Sequence, residues 1–162
     1  MAIKSNRNGK SVSVDQTDRE ILRLMQQDST LPLEQMAKLV GISKTAIWNR
    51  IQRLHQNKVI LKQAATINAD LVGLHETFFV AVKTSQHDDQ WLKTFYNAIK
   101  DMPEITEAHR LAGDMDYILK VQVHSTSDYD EFYKRLISRV TMYSVSSFLS
   151  METLKFDSSI PI

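Results

Sequence analysis

Only three residues, Gly41-Ile42-Ser43, separate two stretches of the sequence that have helical periodicity. Gly41 can adopt the left-handed conformation that ends a helix running from Pro32 to Val40, and Ser43 can cap the next helix, from Lys44 to Gln56. A link this short forces the chain to turn sharply. Two helices joined by a three- or four-residue turn that contains glycine form a helix-turn-helix unit, so the N-terminal part of the chain is predicted to adopt that arrangement.

A further helix is predicted before this pair, from Asp15 to Gln27. Asp15 can accept hydrogen bonds from the amides of the first turn, and Asp18 places a second negative charge near the positive end of the helix. The predicted buried residues of the first two helices recur at helical spacing; they are Ile21, Leu22, Met25, Met36, Ala37, Leu39 and Val40.

The third helix has an apolar side and a polar side. At 100° per residue, Ile47, Ile51 and Leu54 fall within about 60° of one another and predict the buried side. Trp48 lies on the opposite side and is therefore expected to be exposed. Its alternative role is packing against another part of the protein, such as a dimer partner.

The polar side of the third helix has the chemistry of a DNA-recognition surface. Asn49 and Gln52 can form paired hydrogen bonds with adenine, and Trp48 can contact the thymine methyl group in the major groove. Lys44 and Arg53 suit phosphates, which supply affinity and register rather than sequence choice.

Three other residues complete the predicted DNA-binding set: Ser43, Thr45 and Arg50. Ser43 is the predicted cap at the start of the helix, and Thr45 shares the polar side. Arg50 lies beside the apolar side, so an ion pair with Asp18 or Glu20 explains it as well as a DNA contact does.

The charge of the chain is divided unequally. Residues 1–63 hold 11 Lys+Arg against 5 Asp+Glu, a net charge of +6, whereas residues 64–162 hold 9 against 14, a net charge of −5. A basic N-terminal half favours nucleic-acid binding, although a chance partition of surface charge also explains it. The chain has no cysteine, no secretory signal and no apolar run long enough for a membrane span, so we expect a cytoplasmic protein.

From residue 76 onward the pattern alternates between strands and helices. Strands are predicted at 76–84, 104–112, 116–124 and 143–156, and helices at 88–102 and 127–140. This βαββαβ order is that of a ferredoxin-like fold. The prediction is an α+β chain with a basic flexible N-terminus (1–13), a winged helix-turn-helix domain (14–61), a strand-like connector (62–75), a ferredoxin-like domain (76–156) and a tail (157–162).

A ferredoxin-like sheet carries both helices on one face and leaves the other face open. An open apolar face predicts at least a dimer, because a monomer would expose it to water. A dimer also suits a recognition helix, since two-fold symmetry repeats its contacts about 34 Å apart on DNA. Apolar residues at helical spacing are expected to form the core: Trp91, Phe95, Ala98, Ile99, Tyr129, Phe132, Tyr133, Leu136 and Ile137.

The sequence "LAGDMDY" places Gly113 beside two carboxylates, Asp114 and Asp116. An ordinary hairpin turn accounts for these residues. The alternative is a site for a free amino acid, whose carboxylate needs amide donors and whose ammonium group needs an anion. Residue chemistry alone leaves both interpretations open.

These stretches resemble the leucine-responsive regulatory protein/AsnC (feast/famine) family of transcription regulators. The N-terminal resemblance lies in "VDQTDREIL", in "GIS" and "RIQRL", and in "VI" at Val59-Ile60, which begins a short strand in the family. The C-terminal resemblance lies in "LAGDMDYIL", similar to the family's Gly-Asp-x-Asp-Tyr signature. Together they extend from about Val14 to Phe156.

The resemblance implies a DNA-binding regulator of amino-acid metabolism, modulated by an amino acid or related small effector bound between subunits. It implies double-stranded DNA as a partner and a homodimer that assembles to an octamer. Carried over position by position, it implicates an effector-binding set: Leu111, Ala112, Gly113, Asp114, Asp116, Tyr117 and Ser147.

The sequence departs from the family pattern at three places. Lys58 stands where the family usually has glycine, so Asn57 is expected to take the left-handed turn. His55 replaces a glutamate, and Asp28-Ser29 replaces Asp-Gly.

No motif favours an enzyme. The histidines lack metal-ligand spacing, and no phosphate loop, nucleophile elbow or acid–base pair is present. His109 and Glu107 share one strand face and are expected to form a surface pair. We expect no catalytic residue, metal or cofactor. Two alternatives to an effector-controlled regulator remain: an architectural DNA-packing protein with little effector response, and an amino-acid-binding regulatory subunit of an enzyme.

Overall fold

The computed structural model describes residues 12–162, so the predicted flexible N-terminus lies almost wholly outside the described residues. The described chain forms two compact units. The helical unit contains the residues up to Thr66 together with Phe156–Ile162, and the sheet unit contains Ile67–Lys155. Between residues 12 and 162, no helix is long and apolar enough to cross a membrane.

The helical unit contains three helices: α1 (Gln16–Gln27), α2 (Leu33–Val40) and α3 (Lys44–Gln56). A capping box starts α1, because the Asp15 side chain accepts from the Asp18 amide and the Asp18 side chain accepts from the Asp15 amide. Gly41 ends α2 with φ +77°, which is the left-handed conformation that glycine adopts readily. The predicted helix-turn-helix is confirmed.

The core of the helical unit contains the predicted residues with two exceptions, Leu22 and Leu39. The prediction for Leu22 is wrong, because it is only half-buried and lies outside the core cluster. Leu39 was expected to be buried, and that prediction is wrong, since its side chain is 66% exposed. The helix packs through residues at positions i, i+3, i+4 and i+7, a stripe that places Leu39 at its edge. These packed residues are Leu33, Met36, Ala37 and Val40.

The end of α3 differs from the prediction in two ways. Lys58, not Asn57, takes the left-handed conformation, with φ +58°. The backbone and side-chain amides of Asn57 both donate to the Arg53 carbonyl and hold Asn57 at φ −84°. The strand expected from Val59 is absent from the described chain, because the amides of Val59 and Ile60 both donate to the Leu54 carbonyl.

The connector also differs from the prediction. Residues 61–68 have no regular secondary structure, and a short 3-10 turn follows at Asp70–Val72. Residues 156–162, most of which were expected to form a separate tail, belong to the helical unit.

The sheet unit has the predicted βαββαβ order: β1 (Glu76–Lys83), α4 (Asp89–Ile99), β2 (Ile105–Arg110), β3 (Tyr117–Val123), α5 (Thr126–Arg139) and β4 (Ser144–Leu149). The strands form one antiparallel sheet in the order β2-β3-β1-β4. This arrangement confirms the α+β, ferredoxin-like fold class.

One face of the sheet packs against α4 and α5, with Phe78, Val80 and Val82 contributed by β1. Ile137 was expected in this core, and that prediction is wrong, because its side chain is 45% exposed. The alternation along β1 places Phe79 on the other face, where its cross-strand neighbour is Phe148.

Candidate DNA-binding helix and effector-binding turn

Three apolar side chains anchor α3 in the helical unit. Ile47 and Leu54 are completely buried and Ile51 is 8% exposed. Ser43 caps the helix, since its Oγ accepts from the Ala46 amide at 3.2 Å. Trp48 lies on the opposite side and is 51% exposed, as its position on the helix predicts.

The outer side of α3 is polar and unpaired. Lys44, Thr45 and Asn49 are exposed, and Gln52 is half-buried. Within the described chain, none of these side chains makes a hydrogen bond or an ion pair, and neither does the Trp48 indole. Their donors, acceptors and apolar surface therefore remain available to a ligand outside the chain.

Arg50 and Arg53 lie on the flank of α3 and are bound to α1. Arg50 Nη1 is 2.8 Å from Asp18 Oδ1 and 2.7 Å from Asp15 Oδ2. Arg53 pairs with the other Asp18 oxygen, Oδ2. Of the two ion pairs considered for Arg50, the one with Asp18 is present, and Glu20 instead accepts from Gln16.

The Asp18 carboxylate is the centre of this contact. Its side chain is completely buried, and both of its oxygens bind a guanidinium group. The hydrogen bond from Arg50 also holds the pKa of the Asp15 carboxyl below its ordinary value. The sequence analysis did not predict the ion pair between Arg53 and Asp18. The i,i+3 spacing of Arg50 and Arg53 places them on one helix face and was the signal that could have indicated it.

The two arginines keep unused donors. A guanidinium group has five N–H donors, and each arginine uses only some of them here. About 43% of the Arg53 side chain and 32% of the Arg50 side chain are exposed. Both residues can therefore hold α1 against α3 and still contact a phosphate.

The turn between β2 and β3 is closed by backbone contacts. The Leu111 amide donates to the Asp116 carbonyl at 2.8 Å, and the Asp116 amide donates to the Val82 carbonyl at 3.1 Å. The Asp116 carboxylate accepts from the Thr84 amide at 2.8 Å. Asp116 thus attaches the turn to β1, a role that the sequence motif did not indicate.

Four consecutive backbone amides of this turn, from Ala112 to Met115, have no acceptor among the described residues. Gly113 has φ +148°, and no atom lies within 4 Å of the place where a Cβ would stand. Asp114 is exposed, and its carboxylate has no partner in the described chain. The turn therefore offers unpaired N–H donors next to a free anion.

The two remaining residues of the predicted effector set have structural contacts. Tyr117 is 8% exposed and packs against Trp91 and Phe95; its burial raises the pKa of the phenol. The Ser147 hydroxyl is hydrogen-bonded to the Tyr129 hydroxyl. The side chains of Tyr117 and Ser147 are thus used within the sheet unit, unlike Asp114.

The histidine–glutamate pair expected on the sheet surface is present. His109 Nε2 lies 3.3 Å from Glu107 Oε2, and both side chains are exposed. The neighbouring imidazole is the main cause of a lowered pKa at Glu107. Among residues 12–162, no three His, Asp or Glu side chains are grouped as metal ligands.

A helix-turn-helix with an unpaired outer side, followed by a ferredoxin-like unit with an amide-rich turn, defines an effector-modulated DNA-binding transcription regulator. The AsnC-type helix-turn-helix domain model matches residues 14–55, and the Lrp/AsnC ligand binding domain model matches residues 77–160. The chain belongs to the Lrp/AsnC family of transcription regulators.

Similar individual proteins and solved structures show the same family relationship. The glutamate uptake regulatory protein of Zymomonas mobilis is 39% identical over 149 residues, covering 92% of this chain and 91% of that protein. The crystal structure of an AsnC family transcriptional regulator from Agrobacterium tumefaciens is 40% identical with a TM-score of 0.86, over 91% of this chain and 96% of that one. A Neisseria meningitidis regulator in complex with L-methionine shares the fold, with a TM-score of 0.85 at 21% identity over 92% of this chain and 97% of that one.

The Asp18→Asn variant is expected to lower the free energy of unfolding of the helical unit by about 2–3 kcal/mol, because hydrogen bonds to charged groups each contribute about 1.5–3 kcal/mol. Chemical denaturation of the full chain, followed by the far-ultraviolet circular dichroism of its helices, measures the change. Glu20→Gln, on the same helix, is the matched control and is expected to change stability by less than about 0.5 kcal/mol. Equal stability of Asp18→Asn and the wild-type chain would show that the ion pairs do not hold α1 to α3.

Proposed function

We propose that this protein regulates genes of amino-acid metabolism by binding specific DNA sequences with the outer side of α3. We propose further that an amino acid or a related small molecule, bound at the turn Leu111–Asp116 between subunits, controls that binding. The observation that carries the proposal is the exposed outer side of α3, whose polar side chains have no partner in the described chain.

The side chains of α3 divide into two roles on DNA. Trp48 offers a flat apolar surface for the thymine methyl group in the major groove. Asn49 and Gln52 offer amides that suit the adenine edge. Lys44, at the first position of the helix, suits a phosphate. Ser43 and Thr45, at the same end, add hydroxyl donors for the DNA backbone.

We expect Trp48→Ala and Asn49→Ala to reduce discrimination between the operator and sequences with one altered base, by roughly tenfold, because each specific base contact contributes about 1–3 kcal/mol. Lys44→Ala should weaken binding to all sequences alike and lower the salt slope by about one. Fluorescence anisotropy with operators selected from a random DNA library, titrated at several salt concentrations, measures both effects.

Lys38→Ala is the matched control for Lys44→Ala. Lys38 lies on α2, is exposed, and is 3.6 Å from Glu34, so its loss removes the same charge from outside the proposed DNA-binding surface. Unchanged selectivity in both the Trp48 and Asn49 variants would contradict the recognition assignment. Equal binding of the wild-type protein to all sequences would favour an architectural DNA-packing role.

The turn Leu111–Asp116 has the groups that a free amino acid requires. The unpaired amides of Ala112 to Met115 can donate to a carboxylate, and the Asp114 carboxylate can accept from an ammonium group. Asp116 supports the site indirectly, by attaching the turn to Thr84 of β1. The L-methionine complex of the Neisseria meningitidis regulator supports an amino acid as the class of ligand.

We expect Asp114→Ala to abolish effector binding and leave DNA binding without effector unchanged, because Asp114 is exposed and makes no contact that supports the fold. A thermal-shift screen of the twenty amino acids identifies the ligand of the wild-type protein, and calorimetry then compares the variants. Asp101→Ala, which removes another exposed aspartate of the sheet unit, is the control. A normal titration of Asp114→Ala would remove Asp114 from the site.

The open face of the sheet supports the proposed dimer. Phe148 is 56% exposed and Phe79 is 38% exposed, and the two are cross-strand neighbours. An exposed aromatic pair on a sheet that already has helices on its other face favours a second subunit as its cover. Two such subunits present two recognition helices, and the family resemblance extends this to an octamer built from four dimers.

The Phe148→Glu variant is expected to sediment as a monomer, because the substitution places a charge in the centre of the proposed contact. Tyr96→Glu is the control, since Tyr96 is exposed on α4, away from the open face, and this variant should remain a dimer. Analytical ultracentrifugation distinguishes the two results. A Phe148→Glu variant that remains a dimer would show that the subunits associate elsewhere.

A further inference from the structure

The C-terminal residues of the chain are bound to α1 by two of its side chains. Gln26 contacts Ile160 at two points: its Nε2 donates to the Ile160 carbonyl at 3.2 Å, and its Oε1 accepts from the Ile160 amide at 2.7 Å. Arg23 donates from Nε to the backbone oxygen of Ile162 at 2.6 Å. The Ser159 amide donates to Asp157 at 2.8 Å, which shapes the preceding turn.

These contacts have the form of peptide recognition. A glutamine amide that donates to and accepts from the backbone of one residue reproduces the pairing that a neighbouring β-strand provides. Arg23 and Gln26 are three residues apart, so their side chains lie on one face of α1. This face of α1 thus binds an extended backbone rather than a particular side chain.

A groove of about 550 Å³ lies beside the bound segment. It is lined by α1, including Leu22 and Met25, by residues 59–66, and by Ile160 and Ile162. Residues 59–66 lead out of the helical unit, and residues 156–162 lead back into it. Both chain connections between the two units therefore begin in one groove beside α1.

We infer that residues 156–162 are a built-in peptide ligand of α1, and that their attachment is a second route by which the effector-binding turn acts on the DNA-binding helix. The second part of this inference rests on the proposed function. The route continues through α1, because Asp18 of the same helix binds Arg50 and Arg53 of α3. When the C-terminal segment is displaced, α1 loses its hydrogen bonds to Ile160 and Ile162. No residue of the proposed DNA-binding surface is removed.

Amide hydrogen exchange of the full-length protein, measured by NMR, tests the attachment. The Ile160 amide should exchange slowly in the wild-type protein and at least about tenfold faster in Gln26→Leu, because both hydrogen bonds to the segment are lost. Gln35→Leu is the matched control and should leave that exchange unchanged, because Gln35 is exposed on α2 and its side chain makes no hydrogen bond to any described residue.

A second variant, Ile160→Pro, removes the amide donor from the segment and leaves α1 intact. It should shift the NMR signals of the Gln26 side-chain amide, whose Oε1 loses the Ile160 donor, which separates loss of the contact from damage to the helix. If the Ile160 amide exchanges equally fast in the wild-type protein and in Gln26→Leu, the segment is not bound and the inference fails.

The second measurement is the ratio of DNA affinities with and without a mixture of the twenty amino acids. In both variants this ratio should move towards one, because the released segment can no longer restrain α1. An unchanged ratio in variants whose segment is released would overturn the second route. A wild-type protein whose DNA affinity does not respond to the mixture would instead contradict the proposed effector function, and the second route with it. The hydrogen-exchange result would still show whether the segment is bound to α1.

Discussion

The buried carboxylate of Asp18 is the contact on which the position of α3, the proposed recognition helix, depends. A completely buried carboxylate is stable only when its oxygens are paired, and Arg50 and Arg53 of α3 supply that pairing. Because both arginines lie on the flank of α3, the ion pairs fix the rotation of the helix about its axis as well as its distance from α1. The outer side, with Trp48 and Asn49, is held exposed as a consequence.

The proposed effector-binding turn is held in a similar way in the sheet unit. Asp116 uses its carboxylate to bind the Thr84 amide of β1, and its backbone closes the turn on Leu111. The amides of Ala112 to Met115 are then left without acceptors among residues 12–162, on a turn that is fixed at both ends. In each unit one structural aspartate holds a set of polar groups open to solvent, and such preorganisation lowers the entropic cost of binding.

Local patterns predicted the helices, the sharp turn at Gly41 and the βαββαβ order, because capping residues, glycine and periodicity act over a few positions. They failed where a distant or competing contact decides the structure. Lys58 takes the left-handed turn because Asn57 is held by the Arg53 carbonyl. The attachment of Ile160 to Gln26 joins residues 134 positions apart, and no local pattern indicates it. At the candidate sites, the exposure of Trp48 followed from periodicity, whereas the structural role of Arg53 required the fold.

Control of DNA binding by an effector requires that the effector bind one arrangement of the protein better than another. A coupling of about 1–3 kcal/mol suffices, which one or two hydrogen bonds at the turn can supply. Residues 61–67 make no hydrogen bond within the described chain. A segment bound to α1 adds a restraint at the helix that carries Asp18. In a dimer, where two recognition helices must match sites about 34 Å apart, a small change in that restraint alters both DNA contacts together.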